Sequence, residues 1–162
     1  MRGAVVHGYE ACEENATVAR ENLRLNGCLS TVTTAFIGAK NTGATEVGFN
    51  ERTPARSGGF QKENRRAVDN LSLAEQIEKH RPQGLKIDIE GAEMELLEAR
   101  FPLDGIRAIV LEYHFRVDKS CVNARERIGW LCSHFKHNRM HISIRRDQTW
   151  GGWTDQLMYF WN

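Results

Sequence analysis

The chain lacks an excess of either charge. Lys plus Arg number 22 and Asp plus Glu 21 in 162 residues, so no bulk field draws it to nucleic acid or to an anionic membrane. It has no run of 18 apolar residues, and its first ten residues lack a signal-peptide layout. Its four cysteines, Cys12, Cys28, Cys121 and Cys132, include no C-x-x-C pair. A chain of this length buries about 70% of the surface exposed on unfolding, so it needs no disulfide staples. Reduced thiols in a cytoplasmic protein are expected. No repeat, low-complexity tract or domain boundary is visible, and residues 1–162 read as a single domain.

What is present is alternation of strand and helix. AVVHGYE at 4–10 reads as a strand ending in an acid. Glu13 and Glu14 then favour a helix start, Ala16, Ala19 and Leu23 share a face, and Asn26-Gly27 is a stop. TVTTAFIG at 31–38 reads as the next strand. Residues 40–70 turn polar and read as a loop, with a short hairpin around Thr45–Phe49; the stretch 40–68 is either a lid or a variable surface loop. Ser72 and Glu75 form a capping box for a helix ended by Pro82. A strand at 85–89 precedes a helix over about 92–100. RAIVLEYHF at 107–115 is apolar enough for a strand covered on both faces. Ile128, Leu131 and Phe135 mark a helix at about 122–136, and HISIRR and LMYFWN close the chain as an antiparallel pair. The fold class is α/β, a Rossmann-like sandwich around a mostly parallel sheet with a C-terminal antiparallel hairpin.

Three strands end in acids. Ligands of such sheets bind beyond the carboxyl ends of the parallel strands, where Glu10, Asp88 and Glu112 fall. A carboxylate there accepts hydrogen bonds from vicinal hydroxyls, as a nucleotide ribose offers. Gly91 permits a sharp turn from strand to helix. Period-two alternation puts Asp88 and Glu90 on one side of their strand, and Glu112 and His114 on one side of theirs. Glu93 reads as a first-turn acid favoured by the helix dipole, with no catalytic role. The acids and the histidine also suit a divalent metal, but the spacing is not diagnostic and no metal is assigned.

The segment LKIDIEGAE followed by a helix resembles the signature of the FkbM-type S-adenosylmethionine-dependent methyltransferases. VVHGYEACEENATVARENLRLNG, TTAFIGAKNTG, VDNLSLAEQI and AIVLEYH are similar, in order, to other pieces of that family. The resemblance implies that Glu10 holds the cofactor ribose and that Ile37 and Gly38 lie by the adenine. It puts Asp88 at the methyl-transfer centre and against the cofactor, with Glu90 beside it. His114 is the candidate base, with Glu90 or Glu112 behind it. The implied activity is O-methylation of a small-molecule or sugar hydroxyl.

The family opens on a strand with a D-x-G-x-x-x-G turn, and MRGAVVHGY, ahead of Glu10, contains none. The chain therefore reads as truncated, starting at the family's second strand with the first strand and helix missing. Strands 4–10 and 85–89 are then expected to lie side by side. Ile109 and Leu111 are expected to be poorly covered and hidden in a two-fold homodimer. The alternative function is a non-catalytic remnant that folds and self-associates without methyl transfer.

Overall fold

Strand β1 (His7–Glu10) ends on its acid, and helix α1 (Glu13–Leu25) begins three residues later. Glu13 and Glu14 in its first turn and Arg24 in its last complement the helix dipole. Gly27, at φ +62°, follows its end, in the left-handed region that glycine enters without a Cβ clash. The computed structural model describes residues 3–48, 65–89, 91–114, 121–144 and 154–162. The chain divides into two compact units, Met1–Glu75 and Gln76–Asn162.

In the first unit β1 pairs in parallel with β2 (Thr31–Thr34). The run predicted as one strand over 31–38 is in fact two. β3 (Phe36–Gly38) belongs to a different sheet, parallel to β5 (Arg65–Ser72), which also pairs antiparallel with β4 (Gly43–Gly48). The break falls at buried Ala35, whose N–H donates to the Glu10 carbonyl at 3.1 Å. The polar stretch predicted as a loop is strand at both ends, while its middle, 49–64, lies outside the described residues. Polarity hid β5 because its arginines are held by acids at an exposed surface. Arg65 meets Glu46 at 3.3 Å and Arg66 meets Glu14 at 2.6 Å. A small core of Cys12 and Val47, with Ala11, Phe36 and Val68 against it, holds this unit together.

The Arg66 bond, with a second bond from the Cys12 thiol, holds the Glu14 carboxyl down at about 2, from an ordinary 4.5. A depressed carboxylate stabilises the fold fully above its unfolded value and progressively less as pH falls through the folded one. Glu14→Gln is therefore expected to narrow the stability gap from the native chain between pH 4.5 and 2. Chemical denaturation at stepped pH measures it; a gap that widens on acidification would refute the pairing.

Helix α2 (Leu73–His80) follows β5, with Ile77 buried, and Pro82 lies just past its end. The second unit holds a four-stranded sheet. β6 (Gly84–Ile87) runs parallel to β7 (Ala108–His114), and β9 (Thr154–Trp161) lies antiparallel between β7 and β8 (His137–Ile144). The C-terminal antiparallel pair is thus as the sequence predicts. Helices α3 (Glu93–Ala99) and α4 (Cys121–His134) complete it. Leu96 and Leu97 of α3, Ile109, Leu111 and Tyr113 of β7, Leu131 of α4 and Met158 of β9 are among its most deeply buried apolar side chains. Phe101 packs edge-on against Trp130, and Phe135 packs against Phe160.

Several expectations need correction. The fold is mixed α/β, but the described strands form three parallel and three antiparallel pairings, so parallel pairing does not dominate. β1 is bonded to β2 and β6 to β7, in separate sheets, so the expected β1–β6 pairing is not formed among the described residues. β7 is not equally buried on its two faces: Ile109, Leu111 and Tyr113 are buried, while Ala108, Val110 and Glu112 are half-buried. Ile109 and Leu111 are fully buried, so they are not the poorly covered surface expected to drive a homodimer. Cys12, Cys28 and Cys132 are free thiols. No helix among the described residues is long and apolar enough to cross a membrane.

Candidate functional site

The parallel register of β6 and β7 builds the richest cluster. Ile87 stands opposite Leu111, so the next residue along each strand brings Asp88 toward Glu112. His114 follows two residues later on the same face of β7. One ligand-capable atom from each of Asp88, Glu112 and His114 lies within 4.8 Å of the other two. Exposure falls across the set: Asp88 is exposed, Glu112 half-buried and His114 buried. Lys86 Nζ pairs with Asp88 Oδ2 at 2.8 Å. Glu90 lies outside the described residues.

Beneath the cluster sits a residue given no role in the sequence reading. Glu93 is 1% exposed. Its Oε1 accepts the N–H groups of Ile89 at 3.0 Å and Gly91 at 3.1 Å, and lies 3.0 Å from His114 Nδ1. An oxygen that accepts two backbone N–H bonds also accepts the third, so Nδ1 of His114 carries the proton and Nε2 is the ring's other functional atom. Gly91 makes this possible: at φ +108° it holds a turn that presents two N–H groups to one carboxylate. The sequence contained a signal for this. Glu93, Leu96 and Leu97 fall at i, i+3 and i+4, the spacing of one helix face, and all three are buried.

In the first unit, Glu10 is half-buried at the end of β1, and its Oε1 accepts the Cys12 N–H at 2.8 Å. Past the carboxyl ends of β1 and β2 opens a cleft of about 280 Å³ lined by Ala11, Glu13, Thr34, Arg66 and Asp69 among others. Glu13 and Arg66 of this lining are engaged internally. Thr34 Oγ1 donates to Glu13, and Arg66 pairs with Glu14.

Ile37 and Gly38 do not line this cleft among the described residues; both are buried in β3. Gly38 has a structural reason to be glycine. A Cβ there would stand 2.7 Å from Asn70 Oδ1, and Asn70 is itself fixed by donating through Nδ2 to Thr42 Oγ1 at 2.7 Å. Gly38→Ala is expected to destabilise by about 1–3 kcal/mol through overpacking. Adding Asn70→Ala should recover part of that loss, giving a non-additive double-mutant cycle in urea denaturation. Strict additivity would show that Asn70 is not the obstacle.

Of the four side chains expected to converge, the structure brings Asp88, Glu112 and His114 near one another, and the carboxylate of Glu93 behind them was given no role. A family model described as the methyltransferase FkbM domain matches residues 1–141, from ahead of β1 into β8. No curated protein and no solved structure matches the chain. Methyl transfer is the activity that the family match suggests. With most of its length inside that one family model, the chain belongs to the FkbM methyltransferase family.

Proposed function

We propose that the protein is an S-adenosylmethionine-dependent methyltransferase that acts on a hydroxyl of a small molecule or sugar, on a Rossmann-like scaffold. The observation that carries this reading is the buried Glu93–His114 couple beneath Asp88 and Glu112, at the carboxyl ends of parallel strands. Those strand ends are where α/β sheets receive ligands. Bound S-adenosylmethionine supplies an electrophilic methyl group on a sulfonium. The chain's own contribution is alignment of the acceptor oxygen and management of its proton, and alignment alone is worth several kcal/mol of barrier. Nδ1 of His114 is held by Glu93, so the ring meets the acceptor with Nε2 and takes the hydroxyl proton there. This is the arrangement in which a buried carboxylate fixes the tautomer of a catalytic histidine. Asp88 and Glu112 accept hydrogen bonds from neighbouring hydroxyls, which favours a polyhydroxylated acceptor.

On the cofactor side, Glu10 has the right chemistry for a ribose. Its Oε1 is anchored by the Cys12 N–H, and Oε2 is left to accept from a sugar hydroxyl. The test is transfer of labelled methyl from saturating S-adenosylmethionine to a panel of sugars and small hydroxylated molecules. Transfer to at least one acceptor, reduced about 10²-fold or more in Asp88→Asn and His114→Gln, supports the reading. No transfer to any of them would favour the non-catalytic alternative.

A further inference from the structure

We propose that Asp88, Glu112 and His114 bind a divalent transition-metal ion of the Mn²⁺ or Zn²⁺ kind. Three observations meet here. The first is the ligand set. One atom each from two carboxylates and an imidazole already lie within 4.8 Å of one another. An ion about 2.0–2.2 Å from each ligand would need them roughly 3–4.4 Å apart, so side-chain adjustments of rotamer size complete the site.

The second observation is the support behind the histidine. Metal-binding histidines commonly donate their other ring N–H to a carboxylate, which fixes the ring and strengthens the ligand. His114 Nδ1 stands 3.0 Å from Glu93 Oε1, and Glu93 is in turn fixed by the N–H groups of Ile89 and Gly91. The third is an imbalance of charge. Glu93 Oε2 is buried with no hydrogen-bond partner among the described residues, on a carboxylate that is 1% exposed. An oxygen buried with no donor is costly, and a cation held by the neighbouring imidazole would offset that cost.

The mixture of oxygen and nitrogen ligands selects the ion. Carboxylates suit Mg²⁺, Ca²⁺ and Mn²⁺, an imidazole suits Zn²⁺ and its neighbours, and a mixed set favours Mn²⁺ or Zn²⁺ over Mg²⁺. Three protein ligands leave coordination positions open for a substrate oxygen. Lys86 competes for Asp88 Oδ2, so the ion uses Oδ1 or displaces an exposed ammonium.

The consequence for chemistry rests on the methyl-transfer reading; the binding does not. An ion held by Asp88, Glu112 and His114 would lower the pKa of a coordinated acceptor hydroxyl and ease loss of its proton to solvent. The acceptor oxygen then forms the new C–O bond while the C–S bond of the sulfonium breaks, leaving a neutral thioether. With the ion bound, Nε2 of His114 would be a ligand and solvent would take the proton; in the ion-free site His114 is the base.

The experiment is a Mn²⁺ titration of the whole chain, followed by loss of the free-ion electron paramagnetic resonance signal and repeated with Mg²⁺. One saturable Mn²⁺ site per chain is expected, tighter than for Mg²⁺. Asp88→Asn and Glu112→Gln alter residues that are not buried, so both should fold, as circular dichroism will show. Each should weaken the site at least about tenfold, and Glu93→Gln about 10–100-fold. Lys86→Gln should bind at least as tightly as the native chain. Absence of saturable Mn²⁺ binding, or binding unchanged in both Asp88→Asn and Glu112→Gln, overturns the proposal. The labelled-methyl assay on the same samples reports separately on the methyltransferase reading.

Discussion

Glu93→Ala is expected to destabilise the second unit by about 3–5 kcal/mol, because an unsatisfied buried donor costs about 1–3 kcal/mol and several are left at once. Three donors lose one acceptor at once: the N–H groups of Ile89 and Gly91, and Nδ1 of His114. His114 is 3% exposed, so water does not readily replace the missing carboxylate. Against a typical domain stability of about 5–15 kcal/mol, a loss of this size should appear as a large drop in Tm. The control is Glu95→Ala, an exposed acid in the same first turn of α3. Surface substitutions of that kind usually change stability by less than about 0.5 kcal/mol. Glu93→Gln keeps an oxygen for the two backbone N–H groups and should fall between the two. If Glu93→Ala behaved like Glu95→Ala in a urea melt, the helix-dipole reading of Glu93 would be the correct one and the hub would be discarded.

The sequence made the strand ends legible because they follow from period-two alternation and the carboxyl-end rule. Glu112 and His114 share a face of β7, and Asp88 follows β6 in register with them. Glu93 was legible too, had its spacing to Leu96 and Leu97 been given more weight than its place in the first turn. Other features were not legible, for physical reasons. TVTTAFIG alternates without interruption, and only a tertiary bond from Ala35 to the Glu10 carbonyl divides β2 from β3. β5 reads as loop because Arg65 and Arg66 are polar, yet acids from β4 and α1 satisfy them at the surface. The pairing of β1 with β6 was inferred from a rule against bare sheet edges. The described strands do not obey it: β1 and β6 each stand at the edge of a sheet. Edge strands are tolerated when short, and both are four residues long.

Weak cofactor binding is the last expected result, and it separates the two ends of the ligand. Glu10 offers the adenosine half a carboxylate anchored by the Cys12 N–H. Residues 1–9 carry no D-x-G-x-x-x-G turn, so the 162 residues assayed by themselves are expected to hold the methionine half by fewer backbone hydrogen bonds. Hydrogen bonds to charged groups contribute about 1.5–3 kcal/mol each. Loss of two corresponds to a weakening of roughly a hundredfold or more, since each 1.4 kcal/mol is about tenfold. Titration calorimetry of this chain should therefore give S-adenosylmethionine a dissociation constant well above the micromolar range, and S-adenosylhomocysteine one no tighter. Glu10→Ala should weaken the remainder further by about tenfold or more, because a charged acceptor at the ribose is removed. Asp88→Ala should also reduce it. Micromolar binding indifferent to both substitutions would place the cofactor elsewhere on the chain. Micromolar binding abolished by both would mean that other backbone donors in these residues replace the glycine turn, and the roles of Glu10 and Asp88 would stand.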